Sequence, residues 1–283
     1  MTKNVYFDTN AHLDIFEQRR PDLFAKISEL VEHSAITVVS SEVGFTEALE
    51  GSHLETFAAG ISRFFSVHPK WIYLTGMTAR DVIFAYDPSF QTPDGKPGQL
   101  LEWGELLPRI TEPTDIVNFP GLETPTSEAI QAYWPHDVIR PRMNYWREQL
   151  KTRQAGLQNL LRKEPADEVF RRLVASVLRV SANEATPFAN ELLGNADIAP
   201  AFRTQFALDV LTADTTKPRE LKNDFFDFLH AGVLPHIDIF VTRDEGFVER
   251  LKWYDATVRE PQKLSPYTEK VCSNWTEFDK VVS

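Results

Sequence analysis

Two short apolar runs near the N-terminus, each handing over to a helical pattern, constrain this chain more than any other feature. Asn4-Val5-Tyr6-Phe7 runs into Asp8-Thr9-Asn10, residues of turn and helix-cap type. Leu13, Phe16, Leu23, Phe24, Ile27, Leu30 and Val31 then recur at helical spacing, and Pro21 divides that stretch in two. The second run, Ala35-Ile36-Thr37-Val38-Val39, is β-branched, and Ser40 and Ser41 read as caps of a following helix. Strand, helix, strand, helix in such short alternation predicts a parallel sheet covered by helices. The alternation returns at the far end. Residues 223–234 read as helix, 238–242 as a buried strand, 244–253 as a short helix, and 267–282 as a last strand and helix.

Between these ends the character changes. Residues 86–128 are rich in Pro, Gly, Thr and acidic side chains without sustained periodicity, which predicts an irregular excursion. Residues 129–212 read as mainly helical. Phe170, Leu173, Val174, Val177 and Leu178 share one apolar stripe, and Arg171, Arg172 and Arg179 lie off it. The expected organisation is therefore an α/β core from residues 1–65 and 220–283, interrupted by a mainly helical insertion at 66–219.

Composition narrows the function classes. With 42% hydrophobic residues the 283-residue chain has enough apolar mass to fold, and its one cysteine, Cys272, excludes an intramolecular disulfide and a thiolate metal cage. The opening residues reach Asp8 before any stretch of signal-peptide type, and no run approaches about 18 apolar residues. A soluble, cytoplasmic protein with no membrane partner is expected. A formal net charge of −11 weakens long-range attraction to phosphate polymers. Residues 139–181 oppose that trend: ten basic residues stand against four acidic ones, a net +6, with Tyr145 and Trp146 available to stack on bases. The competing reading of this segment is an ordinary solvated helical face.

The chemistry rests on carboxylates. Asp8 follows the first expected strand and Asp244 follows the strand at 238–242, so both fall where open parallel sheets gather their ligand sites. Each also suits the N-cap of the helix behind it. Glu47 lies in the helix after the second strand, and Asp224 and Asp227, three residues apart, share a helix face. Were Asp8, Glu47, Asp227 and Asp244 to converge, two like charges about 4 Å apart would repel by roughly 4 kcal/mol at an effective dielectric near 20. Hard cations among the oxygens cancel such repulsion. Mg2+ or Mn2+ in a carboxylate cluster most often serves phosphoryl transfer, which points to a metal-dependent phosphodiesterase. Thr242 or Asn10 would orient one of the ligating groups. No histidine pair has metal-ligand spacing. His230 reads as a structural group beside the acidic helix, and His12 as a helix-surface residue. A Gly-rich phosphate loop and a serine-hydrolase elbow are absent, and Asn10 stands where a haloacid-dehalogenase-like site needs a second Asp.

The segments Val5-Tyr6-Phe7-Asp8-Thr9-Asn10, Glu47-Ala48-Leu49-Glu50-Gly51, Asp227-Phe228-Leu229-His230-Ala231 and Asp238-Ile239-Phe240-Val241-Thr242-Arg243-Asp244 resemble, in order and spacing, the motifs of PIN-domain nucleases. The resemblance covers roughly residues 4–65 and 220–280. It implies a PIN-like parallel sheet in which Asp8, Glu47, Asp227 and Asp244 hold one or two divalent cations, Mg2+ or Mn2+, for endonucleolytic hydrolysis of RNA. Asp224 is the alternative to Asp227 in the same motif. Arg171, Arg172 and Arg179 are the expected RNA-binding residues. DNA stays open as a substrate, as do a second copy of the chain or a regulatory protein as partners. The alternative function is a noncatalytic RNA-binding or assembly protein on a PIN-like scaffold.

Overall fold

Strand β1 (Lys3–Phe7) lies at the centre of a six-stranded sheet, and Val5, Tyr6 and Phe7 are all buried, as a strand covered on both faces requires. In this computed structural model the residues described are 1–51, 53, 56–72, 77–87, 101, 102, 141, 144, 148, 152, 155–214 and 229–283. On one side β1 pairs with β2 (Ile36–Ser41), Val5 opposite Val38; on the other it pairs with β5 (Ile239–Val241), Tyr6 opposite Phe240. β3 (Lys70–Ile72) extends the sheet from β2, and β6 (Val271–Cys272) extends it from β5. All these pairings are parallel. β4 (Leu101–Glu102) adds an antiparallel edge on β3, giving the order β4-β3-β2-β1-β5-β6. Lys70–Ile72 thus place three residues of the sequence-defined insertion in the sheet. The chain runs outward from β1 through β2 to β3 and later returns on the opposite side of β1. Strand order therefore reverses between β1 and β5, which opens a crevice at their carboxyl ends.

Helices α1 (Thr9–Phe16) and α2 (Pro21–Glu32) follow β1, with Pro21 in the first turn of α2, where its missing N–H removes no intrahelical bond. α3 (Glu42–Gly51) and α4 (Phe57–Ser66) follow β2. Ser40 and Ser41, read from sequence as caps, are the last residues of β2 and are buried. Ser41 nevertheless does cap work, since its Oγ accepts from the Gly44 amide at 3.0 Å. At the C-terminal end α9 (Glu245–Tyr254) follows β5 and α10 (Trp275–Val282) follows β6. Aromatic contacts tie the layers: the Tyr6 and Phe240 rings stack at 5.4 Å, Phe240 and Phe247 at 5.2 Å.

A second apolar cluster joins α5 (Met77–Tyr86), α6 (Ala166–Leu178), α7 (Ala182–Gly194) and α8 (Pro200–Asp214). The stripe read from sequence holds: Phe170 and Val174 are fully buried, and Leu173, Val177 and Leu178 pack against them. α8 belongs to both cores, giving Phe202 to the helical cluster and Ala201 and Leu208 to the sheet cluster. Among the described residues no helix is long and apolar enough to cross a membrane.

Asp81 of α5 meets the start of α8, where its Oδ2 accepts from the Phe202 amide at 3.1 Å. Burial raises this carboxyl from its ordinary value to about 6, against the opposing hydrogen bonds from Phe202 and Ala201. A raised carboxyl means that the folded chain keeps its proton after the unfolded chain has lost it. Stability from this group is therefore complete below about pH 4 and declines as pH rises to about 6. Asp81→Asn keeps an oxygen for the helix amide and removes the ionisation. Its stability relative to the parent should rise by about 1–3 kcal/mol between pH 4 and pH 7, partial solvent access trimming the full effect. Urea unfolding at the two pH values measures this; a constant difference would show that Asp81 ionises freely in the fold.

Candidate active site

Asp8 stands one residue past β1, tied into the sheet by its amide, which donates to the Val241 carbonyl at 3.0 Å. Its two carboxylate oxygens have separate tasks. Oδ1 accepts from the Ala11 amide at 2.8 Å and caps α1, as the helix-cap reading anticipated. Oδ2 accepts from the Thr242 hydroxyl at 2.6 Å, across the crevice between β1 and β5. The residue is only 8% exposed. Burial raises its carboxyl above the ordinary carboxylate value, opposed by the bonds from Thr242 and Ala11, the nearby His230 and the Arg243 amide.

Thr242 links the second strand end to the first. Its hydroxyl oxygen accepts from the Asp244 amide at 3.0 Å while its proton goes to Asp8, so one side chain sets both acidic positions. Asp244 caps α9, its Oδ1 accepting from the Phe247 amide at 2.8 Å. Arg243, between them, reaches buried Asp14 of α1 with a nitrogen–oxygen distance of 3.2 Å, a charge contact that holds this loop to α1. Of the two orienting residues expected, Thr242 serves Asp8 and Asn10 is exposed on α1.

Glu47 enters from α3. Its side chain is 17% exposed, and Oε2 accepts from Thr9 Oγ1 at 2.8 Å and lies 2.7 Å from His230 Nε2. The other ring nitrogen of His230, Nδ1, lies 2.8 Å from the Tyr6 hydroxyl, so both nitrogens of the ring are engaged. Tyr6 in turn meets Ser41 Oγ at 2.8 Å, which takes the Gly44 amide. A buried polar chain thus runs from the amide of α3 through Ser41, Tyr6 and His230 to Glu47, with Thr9 clamping the same oxygen from the Asp8 side. The sequence reading of His230 as a structural group near the acids is consistent with this contact, whereas Tyr6 and Ser41 were missed. Their signal was a Tyr between Val5 and Phe7 and a Ser following the β-branched run of β2, positions that burial makes costly without partners.

His12 is corrected. It is buried rather than on the surface, its ring 4.7 Å from that of Phe16 and 4.9 Å from that of Phe64, and burial lowers it to about 3, so it is neutral at physiological pH. α1 is covered by the sheet and by α2, α3 and α4, which leaves residues 11–16 no solvent face.

Asp224 and Asp227 lie outside the described residues, as do Tyr145 and Trp146. Among the described residues no three His, Cys, Asp or Glu side chains are grouped as a metal site. The expected RNA-binding arginines lie on and just after α6. Arg171 contacts Asp167 and Glu168, both at 3.1 Å, and Arg172 holds Glu164 through two oxygens. Arg179 follows α6 with a left-handed backbone, φ 57°, and among the described residues it has no ion pair.

Fold and site together define an α/β protein whose parallel sheet presents a buried, hydrogen-bonded carboxylate at the point where strand order reverses. No family model, curated protein or solved structure matches the chain.

Proposed function

We propose that the chain is a metal-dependent endoribonuclease of PIN-like architecture, with residues 66–219 contributing a mainly helical insertion. The observation that carries this reading is Asp8. It is a carboxylate held under the reversal of strand order, bonded to Thr242 from the neighbouring strand, with Glu47 fixed through Thr9, the very next residue. Asp8, Glu47 and Asp244 supply oxygen donors of the type that Mg2+ or Mn2+ prefers, and Asp227 or Asp224 would complete the set. Such a cation, when bound, supplies Lewis acidity and a water of lowered pKa for attack on phosphorus. The chain's own residues fix the donors: Thr242 orients Asp8, and His230 with Thr9 holds one Glu47 oxygen. Of the three arginines proposed to meet the RNA backbone, Arg179 offers the least compromised charge, since carboxylates already hold Arg171 and Arg172. A noncatalytic RNA-binding role on the same scaffold is the second reading, and the crowding of hydrogen bonds on Asp8 and Glu47 is what favours it.

The deciding experiment incubates purified protein with a pool of structured and single-stranded RNA in Mg2+, Mn2+ or chelator and sequences the products. Cleavage that requires the metal is the expected result. Binding without cleavage would favour the noncatalytic role. In the same assay Asp227→Asn should remove cleavage and Asp224→Asn should retain most of it; the reverse order would shift the ligand to Asp224.

A further inference from the structure

A polyanion that reaches the carboxyl ends of the strands meets mostly its own sign. Asp8, Glu47, Asp244 and Glu245 are all acidic, and in the described stretches that leave those ends, residues 8–10, 242–245 and 273–275, Arg243 is the one basic side chain. A metal cation among the carboxylates offsets repulsion at one phosphate, but every neighbouring phosphate of a strand brings a further charge. Arg243 stands one peptide step, about 3.8 Å between Cα atoms, from both Thr242 and Asp244. Its backbone amide faces Asp8, and its side chain is half exposed.

Asp14 of α1 anchors that side chain without closing on it. The carboxylate is 6% exposed and lies 3.2 Å from Arg243 Nη1, yet Oδ2 takes no hydrogen bond, so the distance is right and the direction is not. The pairing is ionic, and among the described residues it leaves N–H groups of the guanidinium fork uncommitted. Arg172, by contrast, closes on both oxygens of Glu164. Arg20, the other cation that acts on Asp14, is taken by Asp22 at 2.8 Å. The loop is already fixed to the sheet side of the site by the Asp8 amide on Val241, the Thr242 hydroxyl on Asp8 and the Asp244 cap. A buried carboxylate is a costly way to hold it a fourth time, whereas it is a good way to aim a cation.

We propose that Arg243 takes a backbone phosphate of the RNA strand beside the scissile bond, and that Asp14 is the positioning residue that aims it. The planar fork matches two phosphate oxygens at once, and an anchored side chain loses less freedom on binding. The scissile bond in this statement rests on the nuclease reading; the phosphate contact stands without it. Removing the Arg243 charge must act with opposite sign on the two ligands of the strand ends, weakening a polyanion and favouring a cation. Damage to the loop would weaken both.

The test measures hexa-uridylate binding in chelator across a salt series, and Mn2+ binding without RNA, in the parent, Arg243→Gln, Arg243→Lys and Asp14→Asn. Arg243→Gln should weaken hexa-uridylate about tenfold and lower the slope of log affinity against log salt by roughly 0.7, while Mn2+ binds as tightly as in the parent or more so. Arg243→Lys keeps the charge and loses the fork, so its slope should stay parental and its affinity fall between the two. Asp14→Asn leaves the charge present but unaimed, which should weaken hexa-uridylate about two- to threefold at parental slope. Parental affinity and slope in Arg243→Gln, or no hexa-uridylate binding by the parent, overturns the proposal. Loss of both ligands in Arg243→Gln and Arg243→Lys alike makes the residue a structural part of the loop and overturns it too. Parental binding by Asp14→Asn overturns the positioning half. Cleavage by the parent is scored separately in Mn2+: cleavage without an Arg243 effect leaves the nuclease reading and ends this one, and an Arg243 effect without cleavage does the reverse.

Discussion

Replacing Asp8 by Asn is expected to abolish metal-dependent RNA cleavage while leaving the metal-free protein as stable as its parent or more so. The two halves follow from one fact. Burial already disfavours the charged form of Asp8, so ionising it weakens the fold in the absence of a counter-charge. The sign is that of any raised carboxyl: stability is complete below the ordinary carboxylate value and falls as pH climbs through the raised one. Asn keeps the geometry, since Asn caps helices as well as Asp and its oxygen can take the Ala11 amide. Its amide nitrogen can donate to Thr242, which turns its own proton elsewhere. What Asn cannot provide is the charge. Losing one anionic ligand from a metal site forfeits several kcal/mol of transition-state stabilisation, a rate loss of about 100-fold or more. Single-turnover cleavage in Mn2+ and thermal melts in chelator test the halves separately. Parental turnover by the Asn variant would remove Asp8 from the chemistry, and a large drop in metal-free stability would make it a structural cap.

Much of this was legible because it is local. Apolar runs ending in small polar residues located β1 and β2, and the five-residue stripe on α6 named its buried face from spacing alone. The cap positions of Asp8 and Asp244 were also readable, because a carboxylate before a helix has few other uses. The unread parts are contacts between distant residues. Tyr6, Ser41 and His230 come from three separate elements, and nothing in the neighbourhood of any one of them announces the other two. β3, three residues long, is too short for periodicity to register, so it stayed hidden in the presumed insertion. His12 was misread because its helix is covered on every side, and amphipathic reasoning assumes one face in water. In the basic segment a net charge over residues 139–181 carries no geometry, so the pairing of Asp167 with Arg171 one helical turn away shows only in the structure.

The second large effect is expected at Gly44, where a single methyl group should break the buried polar chain. Gly44 lies inside α3, and its requirement is space rather than an unusual backbone. A β-carbon there would fall 2.5 Å from the Tyr6 hydroxyl and 3.4 Å from both His230 Cε1 and Ser41 Oγ. The hydroxyl cannot swing away freely, because Tyr6 is fully buried, stacked on Phe240 and bonded to Ser41 and His230. Gly44→Ala should therefore destabilise the protein by about 1–3 kcal/mol, even though Ala is the better helix former. Displacing Tyr6 also frees the His230 ring to tilt, which loosens the donor that fixes Glu47, so cleavage should fall further than stability alone explains. Tyr6→Phe separates the clash from other causes. Alone it costs about 1–3 kcal/mol by leaving His230 and Ser41 without their shared partner. Combined with Gly44→Ala, however, it removes the atom that the new methyl strikes, so the double variant should be more stable than the sum of the single effects by about 1 kcal/mol or more. Chemical denaturation of the four proteins closes the cycle. Strict additivity would show that Gly44 is small for a reason unrelated to Tyr6, and that the chain from Ser41 to Glu47 is not what α3 was shaped to admit.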